Sequence, residues 1–125
     1  MKTILVAEDD PPSRELMLAI LDGEGYTVVE AVDGGDALRK IEQTLPDLIL
    51  LDIQMPVMDG FAVLDWLRRH PSFAHLPVVA LTAYAMREDQ ERIRNAGFNA
   101  HISKPADRRA LLARIHELLG GKAES

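Results

Sequence analysis

Residues 48–60 read Leu48-Ile-Leu-Leu-Asp52-Ile-Gln54-Met-Pro56-Val-Met-Asp59-Gly60, a short apolar run, an acid, and then a stretch rich in turn formers. The run is continuous rather than alternating, which fits a strand covered on both faces by crossover helices, and so a parallel sheet. Met55 to Gly60 reads as a loop leading into a helix, with methionines as gap fillers. Four more short apolar segments stand at Ile4 to Ala7, Val28 to Ala31, Val78 to Leu81 and Ala100 to Ser103. Between them lie stretches of helical periodicity: Ser13 with Arg14 to Leu21; Gly34 with Ala37, Leu38, Ile41 and Leu45; Phe61, Leu64 and Leu67; and Leu111, Ile115 and Leu118. Stops follow at Gly23 and Gly25, Pro46, Pro71, Gly97, and Gly120 with Gly121. Five β-α units with right-handed crossovers result.

The 125 residues suit one domain, over 1–121, with a tail at 122–125. Fourteen Lys and Arg against 20 Asp and Glu give a net charge of −6, and no basic stripe offers itself to a phosphate backbone, so direct nucleic-acid binding is not expected. The absence of cysteine removes disulfides, thiolate metal sites and thiol nucleophiles from consideration. The apolar runs fall far short of the ~20 residues of a membrane span, and the N-terminus has no signal-peptide pattern, so no membrane association and a cytoplasmic location are expected.

In open parallel α/β sheets, ligands bind beyond the carboxyl ends of the strands. The residues there are Glu8, Asp9 and Asp10 after the first strand, Asp52 after the third, Thr82 after the fourth and Lys104 after the fifth. If the first and third strands are neighbours, Glu8, Asp9 and Asp52 converge, and like charges 4 Å apart at a dielectric of ~20 repel by about 4 kcal/mol. Lys104 offsets part of that repulsion. Carboxylates plus a backbone carbonyl form an all-oxygen site for a hard divalent cation, and Mg2+ with several retained waters fits it best. A carboxylate beside such a cation and an ammonium can attack phosphorus to give an aspartyl phosphate, with Thr82 bonding a phosphoryl oxygen.

The stretches Ile4-Leu-Val-Ala-Glu-Asp-Asp10, Leu48 to Gly60, Ala80-Leu-Thr-Ala83 and Ser103-Lys-Pro105 together resemble a two-component response-regulator receiver domain. Four separated motifs in order are far more specific than any one alone. The resemblance implies a flavodoxin-like, doubly wound α/β fold, with a five-stranded parallel sheet in the order 2-1-3-4-5 and five helices. It implies Asp52 as phosphoacceptor, Asp9 and Glu8 as the metal-binding acids, Gln54 as a backbone-carbonyl ligand, Thr82 and Lys104 on the phosphoryl group, and a cis Lys104-Pro105 bond. The implied donor is the phosphohistidine of a histidine kinase or histidine phosphotransfer protein, and the implied output is altered binding of a downstream protein. Thr82 and His101 would form the switch, although His101 stands where the family commonly has Tyr or Phe, and Ala106 where Phe often follows Lys-Pro. Gln54 and Tyr84 lie two residues past Asp52 and Thr82, placed to modulate dephosphorylation.

Simpler readings apply to each motif in isolation. Asp10-Pro-Pro-Ser13 is by itself a helix start; Thr82 is an ordinary strand end, and only the conjunction with Asp52 and Lys104 overturns these readings. His70, His75 and His116 show no metal-ligand spacing and read as surface or loop residues. Trp66 reads as partial core packing. Leu18 lies away from the arc of Leu16, Met17 and Ile20 that should face the sheet; it is expected to be exposed and is a candidate for docking a histidine-bearing helix. Three rivals remain open. Aspartate-dependent phosphatases usually carry an Asp two residues after the nucleophile, where this chain has Gln54. Flavin binding conflicts with the acidic first loop. A phosphorylation-independent binding module would leave the acid, Thr and Lys set unexplained. A receiver cut from a hybrid kinase or longer regulator is a further reading.

Overall fold

The computed structural model describes residues 1–83 and 86–120. Five parallel strands, β1 (Thr3–Ala7), β2 (Thr27–Ala31), β3 (Leu48–Asp52), β4 (Val78–Thr82) and β5 (Ala100–Ser103), form one sheet in the order β2-β1-β3-β4-β5. Five helices connect or follow them: α1 (Pro11–Leu21), α2 (Gly34–Thr44), α3 (Gly60–Arg69), α4 (Arg87–Ala96) and α5 (Arg108–Leu118). Successive strand residues point to opposite faces, and both faces are covered. Leu5, Ala7, Ile49, Leu51, Val78 and Ala80 pack against Ala37, Ile41, Val63, Leu64, Leu67 and Ile93 of α2, α3 and α4. Ile4, Val6, Leu48, Leu50, Val79 and Leu81 pack against Met17, Ile20, Leu21, Leu111 and Ile115 of α1 and α5. That two-sided burial is why the strands read as continuous apolar runs.

Four helices begin on an aspartate whose carboxylate accepts a backbone N–H three residues on: Asp10 from Ser13, Asp33 from Asp36, Asp59 from Ala62 and Asp107 from Ala110. Helix α2 ends on Leu45 in the left-handed region (φ 50°), just before Pro46, which disfavours a helical residue ahead of it. Helix α4 ends on Gly97 at φ 110°.

The expected arc of α1 needs correction. Its buried residues are Met17, Ile20 and Leu21, whereas Leu16 is 38% exposed and Leu18 is half-buried rather than exposed. Leu18 shares the helix flank of Arg14, one turn earlier, which reaches across to Glu30 of β2 at 3.4 Å. Leu16 lies on the opposite flank.

Candidate functional site

The register of the sheet assembles the site. Ala7 pairs with Leu51, so Glu8 and Asp52 emerge side by side, while Thr82 pairs with Ser103 and brings Lys104 to the same edge. The amide of Lys104 donates to the Thr82 carbonyl at 2.8 Å, and the Lys104-Pro105 bond is cis, as expected. Glu8, Asp52 and Thr82 are buried, and Asp9 is half-buried.

Carboxylate oxygens of Glu8, Asp9 and Asp52 lie within 4.8 Å of one another. An octahedral magnesium ion holds oxygens at about 2.1 Å, so its ligands stand up to about 4.2 Å apart, and this oxygen-only set fits such an ion after small adjustments. Lys104 Nζ lies 2.9 Å from Glu8 Oε1 and 3.2 Å from Asp52 Oδ1, bridging two of the three acids. Burial pushes the Asp52 carboxyl up to about 7, helped by a hydrogen bond with Glu8 and by Glu8's charge, against the pull of Lys104. For Lys104, burial disfavours the charge, but the hydrogen bond to Glu8 and the nearby Asp52 hold its ammonium above the usual lysine value.

The loop after β3 shapes the rest. The amide of Gln54 donates to Asp52 Oδ1 at 3.1 Å, and a tight turn from the Met58 amide to the Pro56 carbonyl, 2.7 Å, leaves exposed Val57 at φ 69°. Gly60 then passes so close to the end of β3 that an added Cβ would stand 2.7 Å from the Asp52 carbonyl oxygen and 2.8 Å from Ile53 Cα. The site opens into a cavity of about 460 Å3 lined by Asp9, Gln54, Met55, Asp59, Phe61 and Arg92 among others.

Glu8, Asp9, Asp52, Gln54, Thr82 and Lys104 are thus brought together. His101 stands apart, half-buried on β5, and lines a different cavity of about 360 Å3 with Ile93, Arg94, Phe98 and Arg114. Leu18 lies away on α1, and Tyr84 falls outside the described residues. His75 and His116 are exposed, but His70 is stacked on Trp66 with ring centroids 4.9 Å apart, a packing role its spacing did not show. Two contributors escaped the sequence reading. Arg14 Nη1 donates to the Glu8 carbonyl at 2.8 Å, and Arg92 overlies Phe61 at the rim of the cavity, its guanidinium carbon 4.0 Å from the ring centroid. Neither has a local signal, since each depends on how its helix is laid on the sheet.

The model of the response regulator receiver domain family matches residues 4–116. The chain belongs to the response-regulator receiver family. As a receiver domain it is a signalling domain of two-component systems. It is 37% identical to the polar-differentiation response regulator DivK of Brucella anthropi over 119 residues, covering 95% of this chain and 97% of that one. It resembles the receiver domain of a signal transduction histidine kinase from Syntrophus aciditrophicus, with TM-score 0.88, 35% identity and coverage of 97% and 92%. It also resembles the receiver domain of a Pseudomonas aeruginosa sensor histidine kinase, with TM-score 0.87, 34% identity and coverage of 95% and 98%; that structure has a magnesium ion coordinated in the active site cleft. Receiver domains of response regulators interact with histidine kinases. No described helix is long and apolar enough to cross a membrane.

Proposed function

We propose that this receiver accepts a phosphoryl group from the phosphohistidine of a histidine kinase or histidine phosphotransfer protein onto Asp52, and thereby changes its binding to a downstream protein. The observation that carries the reading is the Lys104 ammonium held between Glu8 and Asp52, at 2.9 and 3.2 Å, beside a third carboxylate from Asp9. Glu8, Asp9, Asp52 and the Gln54 carbonyl would hold Mg2+, which when bound supplies positive charge to neutralise the transferring phosphoryl oxygens.

The Asp52 carboxylate forms a P–O bond as the P–N bond of the donor breaks, and the electron pair returns to the imidazole. Lys104 balances charge on the phosphoryl oxygens, and the Thr82 hydroxyl bonds one of them. About two negative charges then appear at the end of β3, biasing Thr82 and His101 between two arrangements and altering the face formed by α4, β5 and α5. Release of the group is slow, modulated by Gln54 and Tyr84, so the domain is a switch rather than an enzyme. Leu18 contributes to docking the donor. The domain spans residues 1–121 with a tail at 122–125, a boundary that lies outside the described residues, works in the cytoplasm and does not bind nucleic acid itself. A second reading, a receiver belonging to a hybrid histidine kinase, is favoured by the two similar kinase receivers.

Mg2+-dependent labelling of the intact protein tests the reading. Wild type is labelled and Asp52→Asn is not; labelling that persists in Asp52→Asn refutes it. In the same assay, Leu18→Asp slows transfer from a phosphohistidine donor and Tyr84→Ala shortens the phosphoryl lifetime; unchanged kinetics remove those two roles.

A further inference from the structure

The cavity of about 460 Å3 beside the carboxylates is wider than a phosphoryl group needs, so a donor's leaving group has room beyond the acids. Most of the charge around it is negative, from Asp9 and Asp59, and Lys104 is already engaged by Glu8 and Asp52 at 2.9 and 3.2 Å. Among the described residues, the cation lining the cavity is Arg92, exposed on α4. Its guanidinium carbon stands 4.0 Å from the centroid of Phe61, and Phe61 is braced edge-on by buried Phe98, centroids 5.8 Å apart. A guanidinium on an aromatic face is held in place while its N–H donors remain available at the rim, a geometry suited to a carboxylate.

We propose that Arg92 forms a leaving-group subsite that favours small-molecule phosphodonors of the acyl phosphate class. The inference rests on Asp52 as phosphoacceptor. An Asp52 oxygen forms its bond to phosphorus as the anhydride P–O bond breaks, and the electron pair departs on a carboxylate; no proton or further reactant is consumed. Arg92 pairs with the charge that emerges on that carboxylate. A phosphoramidate departs as neutral ammonia and presents no anion to it.

The test measures labelling of the full chain by acetyl phosphate and by phosphoramidate, with Mg2+, using intact-mass spectrometry. The ratio of the acetyl phosphate rate to the phosphoramidate rate falls about fivefold in Arg92→Gln, the size expected of an exposed ion pair, and recovers in Arg92→Lys. A ratio unchanged in Arg92→Gln, whether both rates hold or both fall together, overturns the subsite while leaving Asp52 as acceptor intact. Failure of both donors to label wild type overturns the acceptor assignment and the subsite with it.

Discussion

Asp52 is buried against Glu8, and in the metal-free site its carboxyl holds its proton up to about pH 7, compared with 3.8 for an ordinary aspartate. Between those values the unfolded chain gives up the proton and the folded chain keeps it. Metal-free stability is therefore highest below the unfolded value and is lost as pH rises from about 4 to 7. Asp52→Asn removes this penalty, so at pH 8 without divalent cations it melts roughly 3 to 8 °C above wild type, and the difference shrinks at pH 4. Parallel melting curves across that range would count against the assignment. Gly60 is the other sensitive residue. A Cβ there meets backbone atoms at 2.7 and 2.8 Å, which cannot swing away as a side chain would. Gly60→Ala destabilises by about 1 to 3 kcal/mol in denaturant titration, and because the strain falls on the Asp52 carbonyl it weakens Mg2+ binding as well.

At the scale of elements, Arg68 links segments far apart in the chain. From α3 it donates to the carbonyls of Phe73 and Leu76, to that of Gly97 after α4, and to the side chain of Asn99 before β5. Asn99 in turn accepts the Val78 amide at 2.8 Å at the start of β4. Arg68→Ala leaves these acceptors without their shared donor and lowers stability by about 2 to 3 kcal/mol, read as a shift in the urea midpoint; Arg68→Lys restores only part, having no planar fork. A loss below about 0.5 kcal/mol would show that water replaces the guanidinium. The aspartate caps act more locally. Helices α1, α2, α3 and α5 each have one, and replacing such a cap by alanine ordinarily costs about 1 kcal/mol.

Across the whole molecule, three carboxylates converge because β1 and β3 are neighbours: Glu8 and Asp9 follow the end of β1 and Asp52 closes β3. Mg2+ held as proposed, by the folded state alone, would stabilise the entire domain by about 1.4 kcal/mol at ten times its dissociation constant. Wild type gains roughly 3 to 5 °C in Tm under those conditions, and chelator reverses the gain. Asp9→Asn shows little of it, and an equal rise in that variant would rule Asp9 out as a ligand. The strands and most helix ends were legible because periodicity, glycine, proline and aspartate act within a few residues of themselves. The strand-end motifs likewise picked out Glu8, Asp9, Asp52, Thr82 and Lys104. The convergence of those residues depends on which strands are neighbours and in what register, and that order came to the sequence reading through family resemblance alone. Which flank of α1 is covered, how Arg68 spans three segments and why Arg92 stands over Phe61 beside the acids were decided only by tertiary structure. Those contacts join residues widely separated along the chain, and no local pattern encodes the rotation of one packed helix against the next.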